Sequence, residues 1–469
     1  MVVRKGRPNF TEGPIFWRLF AFTLPIILTG LLQVLYNMAD NVVVGQFSGD
    51  EQALAAVGQT SSTNAFMVNL FIGLSAGAGV VVAQLFGAGQ KRELSRCIHT
   101  AMTLSFIVGV GLFVVGLVVL RPVLSLIVKP ELLDKSTLYM LIIAAGYPAM
   151  SVYNFGSSIV RSLGDSKTPL VILALSGLLN VLLNLVFVIV FHMSVAGVAL
   201  ATVTSQYASA AAVIFLMMRQ SDDSTRYSPK KLMLDRGMLS RILVCGVPAS
   251  IQSSIFSLSN MLLTSAVSTF PVETISGNTI ASNLDGITYT CMNSFTSSVM
   301  TFAGQNYGAM KKERVWKVLW YSTIQVLIVG IGVAQLELLF AEPIASLFVG
   351  SDVVNRAKVI EQAIVVMNSI LNWYFLCGVM SVLAGFLRGV GNSTGPMITA
   401  VSCVLIVRIV WIFVFFPMNP ESIAWLNVSY PITWIATVLC NVVLILFEAR
   451  RLKKLFAEGE AQAELIKAE

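Results

Sequence analysis

Twelve long apolar runs separated by short polar connections account for most of the 469-residue chain. They lie near 19–45, 53–86, 97–120, 136–160, 169–191, 194–218, 240–270, 276–307, 315–340, 359–387, 396–416 and 424–447. Each reaches the roughly 20 residues that a helix needs to cross about 30 Å of hydrocarbon. Polar residues inside these runs recur at intervals of three and four, which places them on single helical faces. The first run carries Gln33, Asn37 and Asp40; the fourth, Tyr147, Ser151, Asn154 and Ser158; the fifth, Ser176, Asn180 and Asn184. The seventh carries Ser253, Ser257, Asn260 and Thr264; the eighth, Asn278, Ser282, Asp285 and Tyr289; the tenth, Asn368 and Asn372.

Neutral stripes of this kind act as glue between membrane helices, at roughly 0.6 kcal/mol per hydrogen bond. Asp40 and Asp285 differ. A carboxylate at bilayer depth costs roughly 2.5–3.5 kcal/mol on insertion scales, so it faces a bundle interior or a wet cavity and marks an ion or substrate path. Either could bind a proton or a metal cation, or neutralise a cationic substrate, with neighbouring Asn side chains supplying the oxygens that a hard cation prefers.

Composition agrees with the pattern: 56% of residues are hydrophobic, 12% are charged and the mean hydropathy is +0.79, beyond what a water-soluble core of this size tolerates. The net charge of +7 is not a nucleic-acid signature, because the basic residues fall in alternate connections. With the N-terminus inside, cytoplasmic segments hold 25 of the 31 Lys and Arg, so both termini are expected in the cytoplasm. Among the 25 are Arg4, Lys5 and Arg7 before the first run, and Arg450, Arg451, Lys453 and Lys454 after the last. Arg408 falls within a run, where it is a counter-charge or snorkels. The head of the chain lacks the short apolar core and cleavage site of a signal peptide. Six scattered cysteines without metal-like spacing read as small hydrophobes, and His99 and His192 receive no role.

The chain also repeats itself. Arg161-Ser-Leu-Gly-Asp-Ser-Lys-Thr-Pro169 returns as Arg388-Gly-Val-Gly-Asn-Ser-Thr-Gly-Pro396, Gln84–Ala88 returns as Gln305–Ala309, and Pro25 with Asn37 returns as Pro248 with Asn260. Two halves of six spans follow, inserted in the same orientation with a cleft between them. The expected division is an N-lobe over 1–218, a cytoplasmic linker over 219–240 and a C-lobe over 241–469. The recurring Gly-Asp and Gly-Asn turns read as helix ends and turns in inner loops rather than substrate contacts.

The residues Tyr36-Asn-Met-Ala-Asp40 with Gly45, Ala53–Val57, Gly73–Gly77, Val82–Ala88 and the repeated Arg161 and Arg388 turns, in this order, resemble the multidrug and toxic compound extrusion (MATE) family of secondary transporters. The likeness runs from about Arg18 to Arg450. It implies an all-α polytopic membrane protein of twelve transmembrane helices, in two pseudo-symmetric six-helix lobes forming a V around a central cavity. It also implies exchange of an entering H⁺ or Na⁺ for an organic, often cationic, compound. Asp40 falls on the family's acidic first-helix position, and Asn180 and Thr202 on its other N-lobe cation positions. Asn184 departs from the pattern, since many relatives carry Asp there; the site loses one formal charge, which leaves protonation of Asp40 at least as plausible as Na⁺ binding. The acid that some relatives carry in span seven is replaced by Gln252, and Asp285 is the C-lobe candidate in its stead.

Residues expected to face the central cavity are Gln33, Asn37, Tyr147, Asn154, Gln252, Asn260, Asp285, Tyr289 and Asn372. No cofactor, no metal beyond a Na⁺ at Asp40, no nucleic-acid partner and a monomer in the inner (plasma) membrane are expected. The chain carries no Gly-x-x-x-x-Gly-Lys-[Ser/Thr] or HExxH motif and no clustered His or Cys ligands, so an ATP-driven pump and an enzyme are disfavoured. A flippase for lipid-linked oligosaccharide, of related architecture, is the alternative; it calls for several cavity cations, whereas only Arg408 lies mid-span.

Overall fold

A computed structural model describes residues 9–47, 51–349 and 355–468, and every described element is helical. Arg4, Lys5 and Arg7 lie outside the described residues. The helices are α1 (Ile15–Phe47), α2 (Glu51–Gly87), α3 (Lys91–Ser125), α4 (Leu133–Ala145), α5 (Tyr147–Ser162), α6 (Lys167–Leu185), α7 (Ser194–Met218), α8 (Arg236–Val267) and α9 (Val272–Gly308). There follow α10 (Lys312–Leu339), α11 (Ala341–Phe348), α12 (Arg356–Leu371), α13 (Tyr374–Gly389), α14 (Thr394–Thr399), α15 (Val407–Val410), α16 (Ile423–Asn427) and α17 (Ser429–Ala468).

Among the described residues nine spans are long and apolar enough to cross a membrane unaided, and two bent pairs raise that to eleven. The pairs are Pro130–Ala145 with Tyr147–Ser162, bent by 47°, and Arg356–Leu371 with Tyr374–Gly389, bent by 42°. These are the fourth and tenth spans, the same place in each repeat. Pro148 follows the first break, where its missing N–H interrupts the helical ladder. The eighth span, α9, has 37 residues but is too polar to pass on hydropathy. Its polar side chains are tolerated because the helix is packed into protein, chiefly against α13, α12 and α10. Large apolar side chains such as Val118, Leu175 and Phe413 point outward, as contact with lipid tails requires.

The repeated turns are built alike. Arg161 and Arg388 close α5 and α13 rather than lying in loops, and Gly164 (φ 96°) and Gly391 (φ 94°) then take the left-handed conformation. Asp165 N donates to Val160 O at 3.2 Å, and Asn392 N to Leu387 O at 2.8 Å, which closes each helix end. The side chains of Asp165 and Asn392 then accept from the first backbone N–H groups of the next helix. After α2 and α9 the left-handed residues are Gly89 (φ 68°) and Met310 (φ 56°), so the second copy forces a Cβ into a position its counterpart leaves bare.

The chain forms two compact units, and it changes unit inside two helices. Leu24–Ser250 forms the body of one unit; Phe10–Thr23 and Ile251–Glu469 form the other. Both crossovers fall beside prolines, Pro25 in α1 and Pro248 in α8. The residues 219–240 are counted within the first unit, where they fold against α3: Ser228 N donates to His99 Nε2 at 3.2 Å, and Arg96 pairs with Asp235 at 3.9 Å. The first half of α8 packs closely there, since a Cβ on Gly77 would meet Gly246 Cα at 2.4 Å. In the second unit, Phe10 stacks on Phe302 at 4.0 Å, and Arg314 donates to the Phe10 and Gly13 carbonyls at 3.0 Å each.

Candidate functional site

Three helices of the first unit bring Asp40, Asn180, Asn184 and Thr202 together. Asp40 is fixed by the turn before it: the Tyr36 hydroxyl donates to Ala174 O of α6 at 3.1 Å, and its ring lies on Gly177, where a Cβ would meet ring carbons at 1.9 Å. Only glycine at 177 lets α1 approach α6 in this way. Asn180 and Asn184 stand one turn apart on the same face of α6, and Thr202 faces them from α7.

The amide of Asn184 donates to Asp40 Oδ1, and also to Asn180 Oδ1 at 3.4 Å. Asn180 Nδ2 donates to Thr202 Oγ1 at 3.3 Å, and Thr202 Oγ1 donates to Asp40 Oδ2 at 3.5 Å. Asn184 Oδ1 is buried and has no partner. The flanking wall is apolar, with Val43, Val188, Val195 and Val198 buried in one core cluster. One carboxylate, two side-chain amides and a hydroxyl thus meet with a single formal negative charge. This set suits a proton or a small hard monovalent cation, and no group of three or more His, Cys, Asp or Glu that could hold a metal occurs among the described residues.

The second unit holds a separate polar cluster. Asp285 on α9 accepts a hydrogen bond from the Tyr374 hydroxyl, at the head of α13, while its Oδ1 has no partner. Arg408 is buried; its Nη1 donates to Asn260 Oδ1 at 2.6 Å and Ser259 Oγ at 3.2 Å, and its guanidinium stacks over the Tyr430 ring at 4.5 Å. Asn260 and Asp285 line a cavity of about 230 Å³ within this unit. Gln252 is buried and accepts from Arg388 Nη2.

The remaining candidates are dispersed. Gln33, Asn37 and Tyr289 are exposed on α1 and α9, and Tyr147 is buried with its ring against Phe71 at 5.7 Å. Asn154 and Asn372 each donate to a carbonyl of their own helix, Met150 O and Asn368 O, at 2.9 and 2.8 Å. Glu337 on α10 went unnoticed in the sequence, although its side chain is buried in an apolar helix, beside Thr288 of α9. A lone Glu between Leu336 and Leu338, near the end of an apolar run, was the available signal.

A family model described as MatE matches residues 25–186 and 248–414, one stretch in each repeat, starting at Pro25 and Pro248. A "Probable multidrug resistance protein NorM" of Thermotoga maritima is 25% identical over 81% of this chain and 81% of its own length. A "Probable multidrug resistance protein YpnP" of Bacillus subtilis is 28% identical over 66% of this chain and 68% of its own. Among solved structures, an outward-facing multidrug resistance MATE family transporter of the MOP superfamily superposes with a TM-score of 0.86 at 20% identity, covering 96% of this chain and 99% of the other, which shows a shared fold.

Proposed function

Because this chain belongs to the MatE family, a family of membrane transporters and not of enzymes, we infer that it exports small organic, often cationic, compounds by exchange for an inward-moving cation bound at Asp40. The observation that carries this reading is the hydrogen-bonded cluster of Asp40, Asn180, Asn184 and Thr202 on three membrane-embedded helices. Asp40 is its single carboxylate, so one bound H⁺ or Na⁺ neutralises it. A proton would add an O–H donor, for which the unpartnered Asn184 Oδ1 is the nearest kind of acceptor in the cluster. A Na⁺ would require the Asn184 amide to turn its oxygen toward Asp40. The geometry as it stands, with the NH₂ group on the carboxylate, favours H⁺.

Binding of the cation removes the charge to which Asn184 and Thr202 donate, and so weakens what holds the outer half of α1 to α6 and α7. Release of the organic compound would then be linked to the state of Asp40, because two ligands that favour different states of one site exclude each other. Where a cycle carries one net charge inward, 100 mV supplies about 2.3 kcal/mol, enough to sustain roughly a fiftyfold gradient without ATP; exchange for a monocation is electroneutral and draws on the cation gradient alone. Both termini in the cytoplasm fit the charge asymmetry. The flippase alternative is not favoured: the buried Arg388 and Arg408 are both already bonded to side-chain amide oxygens rather than grouped to receive a pyrophosphate.

Competition at the site is measurable in detergent with no gradient. Ethidium added to the purified protein in weakly buffered solution should release close to one proton per molecule from wild type and none from Asp40→Asn. Equal release from both would remove Asp40 from the exchange.

A further inference from the structure

We propose that residues 230–236, at the end of the connection between α7 and α8, anchor the first unit in the membrane interface and bind anionic phospholipid, with Leu232, Met233 and Leu234 among the acyl chains and Lys230, Lys231 and Arg236 on the lipid phosphates. The inference goes beyond the efflux reading and does not depend on what is transported.

The connection is held against α3 at several points. Ser228 N donates to His99 Nε2 at 3.2 Å, Met233 N to Thr103 Oγ1 at 3.4 Å and Asp235 N to Thr100 Oγ1 at 3.2 Å. The His99 ring also packs on Tyr227 at 5.4 Å. Asp235 then starts the next helix: its Oδ1 accepts from Met238 N at 3.0 Å, while its Oδ2 pairs with Arg96 at 3.9 Å. These bonds fix the height of the segment along α3. Thr103 stands about 18 Å along that helix from Lys91. It lies past Arg96 and inside the stretch 97–120, which has no Asp, Glu, Lys or Arg. Met233 is therefore level with the apolar part of α3, not with its charged end.

Two patterns in the segment identify its partner. Leu232 (75% exposed), Met233 (39%) and Leu234 (46%) are three successive apolar side chains left open, and Phe106 and Ile107 of α3 are exposed one turn further on. Exposed apolar runs mark contact surfaces, and beside the apolar stretch of a membrane helix the contacting medium is lipid. The second pattern is in the charges. Arg96, Arg226 and Arg241 pair with Asp235, Asp223 and Glu93 at 3.9, 3.0 and 3.8 Å. Lys230, Lys231 and Arg236 are exposed and make no ion pair among the described residues. The nearby acids are thus committed, and three open cations flank an open apolar triad. That arrangement complements an anionic leaflet, where each Lys or Arg contributes roughly a fivefold preference and apolar side chains enter beneath the headgroups. An acidic protein or a nucleic acid would match the cations but not the triad.

The test uses the full-length protein without any gradient. In vesicles of phosphatidylethanolamine and phosphatidylglycerol, a nitroxide is placed on Leu232→Cys, in a Cys440→Ser background because Cys440 is the exposed native thiol. Its collision ratio for O₂ over a water-soluble Ni²⁺ chelate should exceed, at least fivefold, that of a nitroxide on Ser221→Cys in the same connection. In detergent, mass spectrometry of the intact protein should show phosphatidylglycerol retained over phosphatidylcholine by at least tenfold, and the triple variant Lys230→Gln, Lys231→Gln, Arg236→Gln should lose that preference. Removing three exposed cations of the second unit instead, with Lys312→Gln, Arg450→Gln and Lys453→Gln, should leave most of it. Thermal midpoints report folding. A label at 232 that reads like one at 221, undiminished preference in the first triple variant, equal loss in both, or displacement of the lipid by equimolar inorganic phosphate would each overturn the proposal. None of these readouts involves Asp40 or transport, so failure here leaves the proton-release result standing, and the converse also holds.

Discussion

Asn184 on α6 donates its amide to the Asp40 carboxylate on α1, across 144 positions of chain, and leaves its own Oδ1 buried without a partner. The pair therefore has one charge, one committed donor and one spare acceptor. That combination accounts for why a single cation is the natural ligand, and it sets the first prediction. In Asn184→Asp the site gains a second carboxylate and loses the amide donor. Sodium should then bind more tightly, with the Na⁺ concentration for half-maximal stabilisation falling at least tenfold, as read by thermal shift against a K⁺ control. No change in Na⁺ response would mean that position 184 does not face the bound ion.

The approach of α1 to α6 depends on the missing side chain at position 177. Gly177→Ala would drive a methyl group into the Tyr36 ring, an overpacking that costs about 1–3 kcal/mol. A lowered thermal midpoint and loss of cation-dependent stabilisation should appear together. The midpoint should partly recover in the double variant Gly177→Ala with Tyr36→Ser, since the smaller side chain vacates the space, although the Tyr36–Ala174 hydrogen bond is lost. No recovery would place the defect elsewhere.

Met310 adopts φ 56° where the first repeat has Gly89 at φ 68°. A residue with a Cβ pays roughly 1–2 kcal/mol in this region. Met310→Gly should therefore raise stability, by about 1 kcal/mol once the lost side-chain contacts are counted, while Gly391→Ala should lower it by a similar amount. The two midpoints moving in the same direction would contradict the assignment of strain.

Gln252 and Arg388 are both buried and bonded to each other through Gln252 Oε1 and Arg388 Nη2. Gln252→Leu would leave the guanidinium without that acceptor, at a cost of about 3–5 kcal/mol. Gln252→Glu keeps the acceptor and should be tolerated. Detergent-solubilised yield and thermal midpoint separate the two; equal loss in both variants would mean that side-chain shape rather than hydrogen bonding is what matters at 252.

The fold was largely legible because a bilayer imposes one rule, an apolar run of sufficient length, and the repeat supplied the rest. What failed to show was whatever depends on partners distant in sequence. The stripe on α9 announced polar residues but not that burial among α10, α12 and α13 would carry them through a helix too polar to pass as a span. Prolines 25 and 248 announced bends, yet nothing in the pattern indicates that the chain changes unit beside them. Asn154 looks like Asn180 in sequence, but its amide donates to its own backbone, whereas Asn180 bonds to Thr202. Periodicity gives the face of a helix, not what lies opposite. Asp40 stands out as a carboxylate inside an apolar run and Asn180 as part of a stripe, but their grouping with Thr202 comes from the family resemblance, and Glu337 escapes because no stripe accompanies it.

The most direct test of the central claim is ethidium flux in sealed vesicles of defined orientation, under an imposed pH gradient and separately under a Na⁺ gradient, with wild type and Asp40→Asn side by side. Export driven by the pH gradient is expected in wild type, with its loss, by at least tenfold, in the variant. Gradient-driven export that persists undiminished in folded Asp40→Asn would contradict that expectation.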